Sequence, residues 1–280
     1  MSLTYNEEQT RVKQYNLKSA VFNGRDPDRY YLEEYFQRKA GINGDISNAT
    51  ESTRMIANPD FEVAGTSMTS ELCTFDAERA GIRLTTATTD QDQAILLPHL
   101  DTNQTAWAVV GQWGTENQVE WECSITTGSS IANVKIWAGL KLLNDQLLIT
   151  DDDKAYFKFQ TDADNSEVFT TFANLHFVHS IANTDYISDL GLTVLADTNY
   201  HLKIIIDSDR KVAAYVNGEQ YSLTSTSGGT GGTTTGTGFT LSAALTDDAN
   251  LIPYIGVETG TSGLKYIIVH YEKISRVLYE

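Results

Sequence analysis

The chain has 280 residues, 41% apolar and 20% charged, enough for one large domain and too apolar for wholesale disorder. Its net charge of −17 is uneven: residues 1–60 carry eight basic and nine acidic side chains, residues 61–280 twelve and twenty-eight, a body that repels phosphate backbones and excludes nucleic acid as a partner. No apolar run reaches the ~20 residues of a membrane-spanning helix, and Met1 to Thr10 is polar, so no membrane is expected and folding in a cytoplasm is.

Taken in chain order, the first predicted element is a helix over about residues 26–40. Asp26 would cap it, Pro27 would take its first position and Gly41 would end it. Tyr31, Leu32, Tyr35 and Phe36 would share one side of that helix and form a docking face. Residues 42–60 are polar and loop-like. Residues 1–60 hold too few apolar side chains for their own core, so they are expected to be an arm that contacts a partner or the main body.

From Phe61 onward the pattern has period two. Val119, Trp121, Cys123 and Ile125 alternate with Glu120, Glu122 and Ser124, the mark of a half-buried strand. Further strands are expected at 73–84, 94–97, 106–110, 134–142, 155–160, 175–181, 200–206, 212–216, 239–243, 252–257 and 265–273. Asn217-Gly218 supplies the two positive-φ residues of a tight turn after Val212–Val216. The Gly/Thr/Ser tract 227–238 is expected to be a long loop. Cys73 and Cys123 lie in strand-like runs and are expected as buried free thiols. The fold class expected is all-β, a two-sheet antiparallel sandwich over residues 61–280 with an N-terminal arm carrying one short helix.

Several stretches carry a resemblance. Tyr200-His201 opening a strand, the turn Ser208–Lys211, and the return Tyr215-Val216-Asn217-Gly218 resemble the laminin-G and concanavalin A-like lectin and glucanase fold. Phe75–Leu84, with Asp90–Gln93 before Ala94–Leu97, is similar to that fold's opening strand pair. Trp137–Leu142 followed by Asp151–Phe159 resembles the concanavalin A-like domains of tailed-phage virion proteins. The resemblance spans about residues 65–280. It implies a jelly roll and a structural role in a virion, with the arm contacting other capsid or tail subunits. A homo-oligomer is implied too, assembled on a particle after folding in the host cytoplasm.

Glucanases of this fold carry Glu-x-Asp-x-Glu on one strand, because hydrolysis needs two carboxyls a few ångströms apart. Here Glu120-Trp121-Glu122 offers two acids on one face and neither the central Asp nor the third acid, so no catalytic residues and no enzyme activity are expected. No cofactor is expected, although Asp151, Asp152 and Asp153 form the one acidic loop that suggests calcium, which takes six to eight oxygens. His176 and His179 would face opposite sides of a strand and could not share a metal. Trp107, Trp113, Trp121 and Trp137 are the candidates for stacking on a host-surface glycan. Trp121 is expected in the core, and Trp113, between Gly111 and Gly114, is the one expected to be exposed. Two roles follow: a capsid decoration protein, or a lectin-like module on a fibre or tail, with a glycoside hydrolase as a third.

Overall fold

A computed structural model describes residues 28–36, 55–56, 60–69, 72–99, 106–109, 111–144, 148–161, 171–223, 230–231, 244–261 and 263–278. The strands in chain order begin with β1 (Arg29–Glu34), β2 (Met55–Ile56), β3 (Phe61–Ala64), β4 (Cys73–Asp76), β5 (Gly81–Thr85) and β6 (Gln93–Pro98). Then come β7 (Glu120–Thr127), β8 (Val134–Leu142), β9 (Lys154–Gln160), β10 (Asn174–Ile181), β11 (Thr184–Thr193) and β12 (Asn199–Ile206). The last are β13 (Val212–Val216), β14 (Glu219–Tyr221), β15 (Thr230–Gly231), β16 (Leu251–Thr259) and β17 (Tyr266–Val277). The only helical pieces among the described residues are the single turns Thr115–Asn117 and Leu148–Thr150.

These strands form two sheets packed as a jelly-roll sandwich. One has eight strands in the order β14-β13-β12-β7-β17-β5-β4, with β1 also on β17; the other has nine, in the order β15-β11-β10-β9-β8-β16-β6-β3-β2. Pairing is antiparallel except for β15, which lies parallel to β11. Alternation decides what faces inward. Trp121, Cys123 and Ile125 of β7 meet Ile136, Ala138 and Leu140 of β8 in one apolar core between the sheets. Cys73 and Cys123 are both free and buried, as expected, and burial pushes the Cys73 thiol up to about 12. The turn at Asn217 (φ 52°) and Gly218 (φ 85°) has the positive φ values that its sequence demands.

The expected helix is a strand. The described part of it, Arg29–Glu34, pairs antiparallel with Glu272–Val277. The reason is tertiary. β5 pairs only with Tyr266–Val269 of β17, so the same edge of β17 beyond a bulge at His270 needs partners for its backbone groups. Tyr30, Tyr31 and Leu32 suit a strand, and the sheet overrides local capping signals. The eight-stranded sheet thus takes a strand from the stretch read as an arm. Residues 37–54 and 57–59 lie outside the described residues, as do residues 239–243. Residues 106–109, read as a strand, form none, and the tract read as a loop holds the two-residue β15.

The four aromatic and aliphatic contact residues of that supposed helix consequently do not share a face. Leu32 packs on the core and Phe36 is buried edge-on against Phe61 at 5.2 Å. Tyr31 instead lies under the Lys273 ammonium at 5.3 Å, and Tyr35, about half exposed at 49%, sits against Tyr271. Arg29 fastens the strand: its guanidinium donates to Gln118 O at 2.6 Å and lies 3.4 Å from Glu120.

Glu272 and His179 are titratable groups buried on the inward side. Glu272, fully buried, accepts a hydrogen bond from Trp121 Nε1 at 2.7 Å, and burial raises its carboxyl to about 8. It lies between Cys123 of β7 and Glu34 of β1 in register. His179 is turned inward, stacked on Tyr186 at 4.9 Å, with neither ring nitrogen hydrogen-bonded among the described residues. Burial lowers its pKa to about 4, so its ring is neutral.

Candidate functional site

The outward face of the nine-stranded sheet differs from an ordinary solvated face, because most of its polar side chains are buried and the rest are partly so. Register places them in four rows. The first is Gln93, Glu258, Lys135 and Gln160, and the second is Ile95, Gly256, Trp137, Lys158, His176 and Asp189. The third is Tyr254, Gly139, Tyr156, Val178 and Ile187, and the fourth is Ile252, Lys141, Lys154, Ser180 and Asp185. Trp137, Tyr156, Tyr254, Ile95, Leu97, Val178 and Leu148 form a second apolar cluster there, separate from the core between the sheets.

At its centre Trp137 lies flat. Its indole runs over Gly256 of β16, so closely that a Cβ on Gly256 would sit 2.6 Å from Trp137 Cε2 and Nε1. Tyr254, two residues along the same strand, is stacked with it at 6.3 Å and an interplanar angle of 19°. The Lys141 ammonium stands 5.7 Å from the Tyr254 ring centroid. Trp137 Nε1, which can only donate, is buried and has no acceptor among the described residues.

The charges around this centre are arranged in pairs. Lys135 and Gln93 each reach a Glu258 carboxylate oxygen at 2.6 Å. Lys141 lies 3.3 Å from Asp151, and Lys154 lies 3.3 Å from Asp185, which also accepts from Ser180. Asp189 is held by Asn174 Nδ2 at 2.9 Å and by Gly191 N at 2.7 Å. His176 Nδ1 faces the Asn174 carbonyl at 3.0 Å, and because a carbonyl only accepts, that nitrogen carries the proton. The other ring nitrogen, Nε2, lies 4.0 Å from an Asp189 carboxylate oxygen.

The tryptophans divide sharply. Trp121 is in the core as expected. Trp113 is a correction: it is fully buried, stacked on Tyr30 at 5.9 Å, its Nε1 donating to Ala106 O at 3.1 Å. Its flanking glycines suggested exposure, but β1 brings Tyr30 over it from a distant part of the chain. Trp107 is also buried, edge-on to Phe61 at 4.8 Å. Trp137 alone of the four is on the outward aromatic cluster.

The acidic loop diverges. Asp151 is fully buried and turns one oxygen to Leu142 N and Lys141, and burial raises its pKa more than Lys141 lowers it. Asp153 accepts from Thr246 Oγ1 at 2.5 Å, while Asp152 is exposed. No cluster of three metal-ligating side chains occurs among the described residues. On the opposite sheet Glu120 lies 2.7 Å from Lys203 and 3.4 Å from Arg29, and Glu122 lies 3.5 Å from Lys273. Both carboxylates are engaged in ion pairs. His176 and His179 face opposite sides, as their spacing required.

No family model and no curated protein matches the chain. Solved structures do. A β-1,3-glucanase from Mycobacterium marinum superposes with a TM-score of 0.51 at 10% identity, covering 87% of this chain and 97% of that one. A glycoside hydrolase family protein from Mycobacterium thermorestibile gives 0.51 at 9% identity over 87% and 99%. A pseudo β-1,3-glucanase of Mycobacterium tuberculosis gives 0.51 at 8% identity over 89% and 98%. The fold is concanavalin A-like. At these identities the likeness establishes the architecture of the concanavalin A-like sandwich and no activity.

Proposed function

We propose that this chain is a carbohydrate-binding jelly roll whose ligand lies on the outward face of the nine-stranded sheet. The observation that carries the reading is Trp137, laid over Gly256, stacked with Tyr254 and holding a buried N–H donor without an acceptor among the described residues. A flat indole with a donor at its edge, bordered by fixed polar groups, suits a sugar ring with its hydroxyl oxygens. The role is binding without cleavage, since Glu120 and Glu122 are held by Arg29, Lys203 and Lys273. A glycan array on the purified chain tests it. One or more saccharides are expected to bind, and Trp137→Ala should weaken the best of them by about tenfold or more, measured below its own melting temperature because truncating this buried indole costs about 3–5 kcal/mol of stability. If no saccharide is retained, the reading is wrong.

A second reading places this module on a phage particle, as a decoration protein contacting capsid or tail subunits. It is favoured by the likeness of Trp137–Leu142 and Asp151–Phe159 to virion domains and by the acidic body, which would keep particles apart. β1 belongs to the sheet, so the informative truncation removes residues 1–27 and leaves β1 in place. Loss of incorporation into particles, with an unchanged melting curve, is the expected result. Normal incorporation would remove the stretch before β1 as the anchor.

A further inference from the structure

We infer that the turn Leu148–Thr150 is a lid on this face: Leu148 takes the place on the aromatic cluster that a saccharide needs, and Asp151, clasped to Lys141, holds it down. This rests on the carbohydrate-binding reading above and adds the regulation of that site.

The connection between β8 and β9 is longer than their pairing requires. The two strands are antiparallel neighbours with Lys141 directly opposite Lys154, and about two to five residues ordinarily close such a hairpin. Here residues 142–153 intervene. The extra chain brings Leu148 back onto the outward face, where it is buried in the cluster of Trp137, Tyr156 and Tyr254. On its other side the turn meets solvent, with Thr150 and Asp152 exposed. The outward cluster is separate from the core between the sheets. Lifting Leu148 therefore uncovers the platform and leaves the sandwich closed.

The clasp is polar and suited to release. One Asp151 oxygen, Oδ2, accepts from Leu142 N at 3.2 Å and lies 3.3 Å from the Lys141 ammonium. That ammonium also donates to Leu142 O, Asn144 O and Asn144 Oδ1, each at 2.8 Å, so it keeps partners when Asp151 leaves. The other Asp151 oxygen, Oδ1, is buried with no donor among the described residues, and it regains water on opening. Both flanks are anchored. Leu143 N donates to Asn250 O at 2.9 Å, Asn183 N donates to Asp152 O at 2.8 Å, and Thr246 Oγ1 donates to Asp153 at 2.5 Å. Opening thus breaks the contacts of Leu148 and Asp151 alone, a local event well short of unfolding. A saccharide that binds only the open form has its apparent affinity reduced by the open fraction.

Leu142 N reports the clasp directly, because its acceptor is the Asp151 carboxylate. In native-state hydrogen exchange on the full wild-type chain it should exchange at least about tenfold faster than the Leu140 and Phe157 amides of β8 and β9. Saturation with the saccharide that the glycan array retains best should speed Leu142 exchange further, since a seated sugar keeps Leu148 out. Leu148→Ala should raise affinity for that saccharide by about threefold or more. Leu142 exchange as slow as that of Leu140, or slowed by the saccharide, would overturn the lid and leave the carbohydrate reading intact. Fast Leu142 exchange with no saccharide retained by the array would overturn both. Should Leu148→Ala not fold, wild-type exchange with and without saccharide decides the matter alone.

Discussion

Glu272→Gln is expected to stabilise the protein above neutral pH and to flatten its stability profile there. Glu272 is a carboxyl buried between the sheets, whose one hydrogen-bond partner among the described residues is the Trp121 indole N–H at 2.7 Å. Burial holds its folded-state pKa at about 8, against an ordinary value of 4.5. Below pH 4.5 both states are protonated and nothing is lost. As pH rises from 4.5 toward 8 the unfolded chain gives up this proton while the folded chain keeps it, so stability falls. Above about 8 the folded carboxylate ionises too, and the penalty is then at its full size. His179 slopes the opposite way: its depressed pKa of about 4 means that stability falls as pH drops from 6.5 toward 4. Between about 6.5 and 8 only Glu272 of this pair contributes. The amide of the variant still accepts from Trp121 and cannot ionise. At pH 8 it should be more stable than wild type by about 2 kcal/mol, the carboxyl's penalty less the cost of one extra buried donor. Denaturant melts at pH 5, 6.5, 8 and 9 check this. Parallel curves for the two proteins would mean that Glu272 is ionised throughout.

Gly256→Ala should lose stability and saccharide binding together. A single methyl at this position meets the Trp137 ring at 2.6 Å, inside any real contact distance. The neighbour is the body of an indole, so the ring must swing off the strand or the strand must move, at a cost of about 1–3 kcal/mol. Either response spoils the flat surface, and affinity should fall as far as in Trp137→Ala. Gly218→Ala makes a useful comparison, because nothing lies within 4 Å of its Cβ and its cost comes from a φ of 85°. It should lower the melting temperature while leaving binding alone. A Gly256→Ala protein that bound saccharide like wild type would falsify the platform.

Much of the sandwich was legible because strands with one face in the core advertise themselves. The alternation at Val119–Ile125 placed Trp121 and Cys123 inward, and Asn217-Gly218 marked its turn. What could not be read locally came from pairing across the chain. The Asp26–Gly41 stretch carries helix punctuation, yet the free edge of β17 lies some 240 residues away and determines the outcome. Trp113 failed for the same reason, since its cover, Tyr30, arrives on that strand. The binding face was half visible. Lys154, Tyr156, Lys158 and Gln160 alternate with Ala155, Phe157 and Phe159, as do Lys135, Trp137, Gly139 and Lys141 with their apolar neighbours. Such a pattern resembles any solvated strand. Only register across β8, β9, β10 and β16 shows that these residues converge, on a face where most of them are buried.

The position of β17 also shapes how the chain must be made. It is the latest described strand in chain order, yet it lies inside its sheet, with β7 on one edge and β5 and β1 end to end on the other. During synthesis those three strands wait with open edges until Tyr266–Val277 emerges, and the Arg29–Val277 pairing closes one of the longest loops the chain allows. Folding is thus deferred until after translation of this strand. A nascent chain stalled before Tyr266 exposes three adhesive edges at once, and chaperone dependence and aggregation should concentrate in such fragments.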